Sequence, residues 1–463
     1  MRRVWPRVAV SMWVLMWGLS VGFGVSAQDA PQPPASEDPN QVEQPKDPSA
    51  AQEPEGDQPE GDEEPQAQGD EQVKEGAQKE PEEVELDEDE LRALEEALAA
   101  DAQNDPPPPP TTNAPVGRIL QSMNPDMSFI LDVAGAWFSA EEPRQTGAHD
   151  PNRTGFTLQQ LELHVESSVD QVFEMDANIV FSLFGVEVEE AFATTLGLPA
   201  NLQVRAGQFL TRFGRLNPTH PHSWSFLDQP IVNGKFFGGE GSRGLGGELS
   251  WLAPVPWFVE VVGAINNADG ACCARSFFGG QDLGVDTPQD LLATVALKQF
   301  FELNPSWSLF WGLSMQTGPN PTGQGNRTEI YGTDLFLRYR PLSDPNRSNL
   351  NIQAESMLRR RQVPDDVLQD WGLYAQAVYQ FALQWEVGAR YEQVSGVRQG
   401  DTLDPDWISD RRRVSVQATY YPSHFSRWRI QGAYDDADWF DGPDFAIMTA
   451  LEVLIGAHGA HNY

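Results

Sequence analysis

The chain has 463 residues, 40% of them hydrophobic and 21% charged, with 31 Lys and Arg against 68 Asp and Glu for a formal net charge of −37. So acidic a balance repels a phosphate backbone and excludes nucleic acid as a partner. Only the extreme N-terminus holds an apolar run of membrane-spanning length, so any further crossing of a membrane must use strands.

Arg2, Arg3 and Arg7 precede the apolar run Val8 to Val25, which ends in Val25-Ser26-Ala27 before Gln28. This is the layout of a secretory signal peptide over residues 1–27, and it sends the chain out of the cytoplasm. Residues 28–84 contain Asp, Glu, Gln, Pro, Ala and Gly in abundance and no aromatic side chain. Such a segment cannot bury enough apolar surface to offset its ordering entropy and is expected to be disordered. Residues 28–110 carry 27 acidic and 4 basic side chains, so most of the net charge sits here and residues 111–463 retain −17. Residues 85–104 read as a short amphipathic helix with Leu91, Leu94 and Leu98 on one face and acidic residues in its first turns. A Pro-rich spacer, 105–124, follows.

From residue 125 the pattern changes to strict alternation, the period of a half-buried strand. Leu161, Leu163 and Val165 alternate with Glu162, His164 and Glu166. Phe173, Met175, Ala177, Ile179 and Phe181 alternate with Glu174, Asp176 and Asn178. The same holds for Trp307 to Gln316, Trp371 to Phe381, Leu383 to Glu392, and Arg413 to Tyr420. Candidate strands fall at 127–138, 156–168, 171–183, 186–196, 202–210, 243–252, 256–265, 291–301, 306–317, 329–340, 348–359, 370–381, 383–394, 411–421, 427–435 and 445–456. The segment 183–200 is ambiguous, leaving fourteen or eighteen strands as neighbouring solutions.

Strands of nine to twelve residues suit a tilted crossing of a bilayer better than the usual five or six. Aromatics gather at strand ends, at Trp137-Phe138, Trp251, Trp257-Phe258, Tyr339, Tyr420-Tyr421 and Trp428. That is the placement of interfacial girdles. The polar face carries too much charge for a core, whereas an aqueous lumen takes such residues at little cost. The fold expected is therefore all-β: an antiparallel transmembrane β-barrel of about 16 strands over 125–463, preceded by the disordered acidic tail and the short helix. Lumen-facing candidates are Glu162, His164, Glu166, Asp176, Arg205, Arg338, Glu355, Glu386 and Arg390.

Between the strands ending at Leu210 and starting at Arg243 lies 211–242, rich in Gly, Phe, His and Pro. A loop that long inside a compact domain is usually functional. Folded inward, it would bring Arg212, Arg215, Asp228, Lys235 and Glu240 into the lumen and narrow it. It also carries His220 and His222, two residues apart around a proline, while His458 and His461 lie near the C-terminus. Four imidazole nitrogens suffice for a tetrahedral zinc site, but no spacing joins the two pairs. The alternative is hydrogen bonding of His220 and His222 within an ordered loop.

Cys272 and Cys273 are adjacent, in a compartment where they can bond to each other or to another chain. Arg359-Arg360-Arg361 near a strand end would attract anions or lipid phosphates, or face solvent. The Gly-rich 238–247 lacks the Lys-Ser or Lys-Thr of a phosphate loop. No Gly-x-Ser-x-Gly elbow and no Ser–His pairing is present, so the reading is a non-enzyme.

By strand pattern the chain resembles Gram-negative porins. Val186 to Phe192, Arg205 to Phe209, His220-Pro221-His222-Ser223-Trp224, Asp228-Gln229-Pro230 and the terminal Gly456 to His461 resemble a proteobacterial family of zinc-regulated TonB-dependent outer-membrane receptors. That resemblance implies a barrel and a link to zinc. Such receptors also carry an N-terminal plug and about twenty-two strands, and the acidic segment here is too poor in apolar residues to fold as a plug. Tyr463 is an aromatic C-terminus, similar to the assembly signal of outer-membrane barrels. The function expected is passive diffusion of small hydrophilic solutes or ions through a bacterial outer-membrane channel constricted by 211–242, with the tail in the periplasm. Outer-membrane lipid is the expected surrounding and a homo-oligomer is compatible. No cofactor is expected apart from zinc at His220 and His222. The alternative is a zinc-linked, ligand-binding receptor without a plug.

Overall fold

The computed structural model describes residues 125–456 apart from 183–184, 268–269, 279–284, 286, 324, 344–346, 398–406, 408 and 440–441. The signal peptide, acidic tail, helix and spacer, and likewise His458, His461 and Tyr463, lie outside the described residues.

Sixteen strands form one closed antiparallel ring in which each pairs with its sequence neighbours and the last returns to the first. They are β1 (Asp126–Phe138), β2 (Gly155–Ser168), β3 (Phe173–Ser182), β4 (Gly185–Thr195), β5 (Leu202–Leu210), β6 (Arg243–Leu252), β7 (Phe258–Asn266) and β8 (Leu292–Asn304). Then come β9 (Trp307–Pro319), β10 (Arg327–Tyr339), β11 (Asn349–Val363), β12 (Asp366–Ala382), β13 (Trp385–Val394), β14 (Arg411–Ser423), β15 (Ser426–Ala437) and β16 (Asp444–Gly456). Closure runs in register from Ser128 opposite Gly456 to Phe138 opposite Ala446. It leaves no unpaired edge, the condition for strands in a lipid environment.

The ambiguous stretch resolves into β4. The strand count matches the alternation, and most boundaries fall within three residues of those read from it. The exception is the β11–β12 hairpin, which continues to Val363 opposite Asp366. Its last rungs pair Arg361 with Leu368, Gln362 with Val367 and Val363 with Asp366, polar against apolar, so hydropathy alternation does not mark them cleanly.

Alternation decides which way each side chain faces. Phe129, Leu131, Val133 and Trp137 of β1 are exposed, while Ser128, Ile130, Asp132 and Ala134 are buried. The outside is therefore apolar and the inside mixed. Aromatics line the outer rims, with Trp307 on Tyr339 and Trp385 on Tyr420 at 4.8 Å between ring centroids, and Tyr434 on Phe445 at 5.3 Å near the other rim. Phe138 departs from the girdle expectation. Being even-numbered in β1 it points inward and packs with Ala446 and Met448.

The connections differ sharply between the two ends. Those leaving β2, β4, β6, β8, β10, β12 and β14 are short, and β1 starts and β16 ends among them. The opposite end carries 139–154, 211–242, 267–291 and 395–410. Described residues of these segments enter the barrel and bring a hydrophobic core of their own. Phe213, Leu216, Ile231, Val232, Phe236 and Phe237 pack with Ala274 and Phe277 against Ile330, Met357, Tyr374 and Val394 of the wall. The short helix α1 (Ile231–Phe236) is buried at every residue. Gly332 and Gly372 make room for it, since a Cβ there would meet Phe213 Cε1 and Val232 Cγ2 at 2.6 Å. The expected uniformly polar lumen is thus modified, because apolar loop side chains fill part of it.

Candidate functional site in the barrel lumen

The segment 211–242 is pinched at its base. Thr211 N donates to Ser242 O at 2.8 Å, and Asn217 Nδ2 donates to Thr211 O at 2.8 Å and Ser242 O at 3.0 Å. From this neck the loop runs into the bore and reaches β9 and β11, two strands on the same side of the ring. Gly214 N donates to Ser314 Oγ of β9 at 3.0 Å, and Leu216 N to Glu355 Oε1 of β11 at 2.7 Å. Gly214 has φ +61, and a Cβ on it would meet Glu355 Oε2 at 2.3 Å. Only glycine fits there without strain.

A row of arginines receives the next stretch. Arg427 and Arg429 of β15 each donate to Trp224 O at 3.1 Å, Arg429 also to Phe226 O at 3.3 Å. Arg390 of β13 donates to Asp228 O at 3.0 Å, and Arg413 of β14 to Gln229 O at 2.8 Å. Buried carbonyls must find donors, and guanidinium groups supply several from one side chain. Each arginine is also neutralised. Asp228 pairs with Arg390 and, at 3.1 Å, with Arg413, and Glu392 pairs with both. Glu452 pairs with Arg427 at 2.7 Å, and Asp132 with Arg429 at 3.0 Å. Burial would push the Asp228 carboxyl up, but the Arg390 and Arg413 guanidinium groups outweigh it and hold it below the usual carboxylate range. Nearby Asp150, in the 139–154 connection, behaves oppositely. Burial and the Asp228 charge push it up to about 6, against hydrogen bonds from Gln229 N and Gly147 N.

The opposite wall, β2 to β4, is built from carboxylates and imidazoles. Glu189 and Glu190 are consecutive yet both buried, which simple alternation forbids. A register shift in the β3–β4 pairing, where Asn178 faces Glu190 and Ile179 faces Val188, makes Glu189 a bulged residue. A second shift sets Gln159 out of register in β2. Bulges re-aim side chains, and these two flank one site. Gln159 O lies 3.3 Å from His149 Nδ1, and His149 Nε2 lies 2.9 Å from Glu189 Oε1 and 3.4 Å from Glu240 Oε2. On the other side of Glu189, Oε2 lies 3.1 Å from His220 Nδ1. His220 Nε2 is 2.8 Å from Glu190 Oε2. Glu162 stands between the loop histidines, its Oε1 4.0 Å from His220 Nδ1 and its Oε2 3.0 Å from His222 Nδ1. The two rings stack 5.7 Å apart with 5° between their planes. Burial pushes both His149 and His220 down, but the surrounding glutamates outweigh it and hold both well above the usual imidazole range.

The remaining residues singled out from sequence also occupy the inner face. Arg205 pairs with Glu248 at 3.0 Å and lies between Phe192 and Phe209, while Arg212 pairs with Glu248 at 2.9 Å and Glu260 at 2.6 Å. Arg215 lies over Phe336, 3.8 Å from its centroid. His164, Glu166 and Asp176 form a small cluster nearer the short-turn end. Glu386 accepts from Gln417 Nε2 at 3.1 Å. Arg338 lines a cavity of about 520 Å³ with Arg340, Asn349, Gln380 and His424 at the short-turn end. His149, Glu189 and Glu190 were not singled out as site residues. Their one sequence signal is the acidic pair that interrupts the alternation of β4.

One further expectation changes, and one open alternative is decided. Arg359-Arg360-Arg361 is not a single basic patch, because alternation splits it. Arg359 pairs with Asp370 inside at 2.7 Å and Arg361 is buried, while Arg360 pairs outside with Glu329 at 2.9 Å. Cys272 and Cys273 are bonded to each other.

No family model matches the chain. An uncharacterized protein of Aquifex aeolicus (strain VF5) is 32% identical over 379 residues, covering 73% of this chain and 80% of that one. The chain belongs to that protein's family. Among solved structures it is similar to the outer membrane channel DcaP of Acinetobacter baumannii, with a TM-score of 0.50 at 10% identity over 72% of this chain and 97% of that one. Salmonella typhi OmpF in complex with daunomycin gives a TM-score of 0.48 at 14% identity, over 73% of this chain and 99% of that one. An anion-selective porin from Comamonas acidovorans gives 0.47 at 11%, over 72% and 99%. At such identities the likeness is one of architecture, that of outer-membrane β-barrels. The resemblance to zinc-regulated TonB-dependent receptors finds no support in these comparisons.

Proposed function

We propose that this family member is an outer-membrane channel for passive diffusion of small hydrophilic solutes or ions, with 211–242 as its constriction. The observation that carries the reading is the pairing of an apolar exterior with a charged inner wall to which that loop is tied by side-chain hydrogen bonds. Such a wall lowers the barrier for hydrated solutes, and pore width and wall charge then set selectivity. Sixteen strands leave a bore wide enough for water, which the loop reduces. The short-turn end, where β1 begins, is read as periplasmic. The charge of −17 over residues 111–463 favours cations over anions.

Conductance of the purified full-length protein in planar bilayers tests the reading. Discrete ohmic steps with cation preference are expected. A barrel shown to be folded and inserted that passes no current would overturn the channel and leave a binding protein.

A further inference from the structure

Glu162, Glu189 and Glu190 of the β2–β4 wall and Glu240 of 211–242 surround two imidazoles. Two triads of ligating atoms meet there, His149 with Glu189 and Glu240, and His220 with Glu189 and Glu162, and within each all atoms lie within 4.8 Å of one another. Ligand atoms in a tetrahedral shell of radius about 2.0–2.2 Å stand roughly 3.3–3.5 Å apart. The separations here, 2.9 and 3.4 Å in one triad and 3.1 and 4.0 Å in the other, bracket that spacing.

Three observations favour a cation over a purely hydrogen-bonded cluster. Glu162 Oε1 is buried and accepts no hydrogen bond, although Glu162 is 0% exposed and faces His220. Such an atom costs free energy unless something positive meets it. Each histidine also has a polar group beside its second nitrogen, as metal ligands do, with Asn178 Nδ2 joining Glu190 at 3.0 Å from His220 Nε2. His149 Nδ1 lies against a backbone carbonyl, and His220 Nε2 against the Glu190 carboxylate. With the protons on those nitrogens, His149 Nε2 and His220 Nδ1 are free to ligate from opposite sides of Glu189. Finally, a cavity of about 30 Å³ adjoins the cluster, lined by His149, Glu189, His220 and Glu240, enough for a water ligand. The charged groups facing the cluster include Arg243, 3.9 Å from Glu240, Arg205, near Glu190, and His222, 3.0 Å from Glu162.

We propose that this cluster is a carboxylate-bridged site for divalent transition-metal ions of the zinc class. Glu189 is the shared ligand, His149 and Glu240 complete one half, and His220 and Glu162 the other. Nitrogen and oxygen ligands without thiolate suit zinc and its neighbours. The site joins 139–154, 211–242 and the β2–β4 wall, so an occupied site fastens two connecting segments to the barrel. It does not rest on the channel reading, because binding is measured in detergent without any current.

The test is a zinc titration of the chelator-stripped full-length protein by calorimetry, with X-ray absorption on the loaded sample. Micromolar or tighter binding is expected, with a nitrogen and oxygen shell near about 2.0–2.1 Å. Glu189→Gln is expected to weaken binding on the order of 100-fold, and Glu190→Gln, which only orients His220, by about 10-fold. Folding of each variant is checked by heat-dependent electrophoretic mobility. The double variant His149→Ala with His220→Ala serves if Glu189→Gln does not fold. Zinc held equally by wild type and variants would mean binding elsewhere, on the acidic segment above all, and would overturn the site. Absence of binding by the wild type would do the same.

Discussion

The two sides of the bore use charge in opposite ways. Along β13 to β15 the guanidinium groups of Arg390, Arg413, Arg427 and Arg429 are matched to carboxylates and to carbonyls of 224–229. Along β2 to β4, glutamates meet imidazoles carried by two connecting segments, and Glu162 Oε1 accepts no hydrogen bond. The first arrangement gives every arginine a carboxylate partner and anchors the loop. The second is incomplete and fit to receive something from outside. The contrast separates buried charge that holds structure from buried charge that waits for a ligand.

Removing the centre of the arginine side should give the largest effect. Asp228→Ala leaves Arg390 and Arg413 short of a shared partner that is 0% exposed. Breaking a buried pair this way costs roughly 3–5 kcal/mol. The barrel ring does not depend on Asp228, so the cost should appear as local release of the loop. Hydrogen exchange is expected to lose protection in 224–230 while the strands keep theirs. Unchanged protection there would mean that the arginine row does not hold the loop.

Acid should produce the same release reversibly. The Asp228 carboxyl is held below its ordinary value of 3.8 by its arginines, so its stabilising contribution is present above that value. It is lost as pH falls through the lower value of the folded state. Loop protection should therefore be flat from about pH 8 to pH 5 and decline only below about pH 4. A decline already near pH 6 would place control of the loop on groups other than Asp228, and not on Asp150, whose raised value near 6 makes its protonation favour the folded loop as pH falls.

The same contrast explains what sequence could and could not reveal. The ring was legible because period-two alternation writes itself over strands such as β12 and β14, and the outward aromatics mark their ends. The inward loop was legible as a length that had to do something. Its apolar core was less so, because Phe213, Ile231 and Phe236 show no period that points to Ile330 or Tyr374 across the bore. The arginine run misled because Arg359 and Arg361 share a face that Arg360 does not. The His–Glu cluster was hidden by two bulges. A bulge is a change of pairing rather than of composition, and only the consecutive Glu189 and Glu190 betray it. His149 and Glu240 come from separate segments, and nothing local in sequence joins them.

The smallest effect is expected from the one covalent cross-link, which sits at the margin of the glutamate side. Glu240 N donates to Cys272 O at 3.1 Å, and Arg243 Nη2 lies 3.6 Å from Cys273 Sγ. A disulfide stabilises mainly by closing a loop in the unfolded chain. Cys272 and Cys273 are one residue apart in sequence, so the peptide bond already holds them together. Reduction should then change stability by at most about 1 kcal/mol, read as an unchanged midpoint of thermal unfolding. It should also leave zinc affinity within a factor of two, because neither cysteine belongs to the triads around Glu189. A large loss of affinity on reduction would show that the 267–291 connection, and not the bulged wall alone, positions Glu240 for the cation.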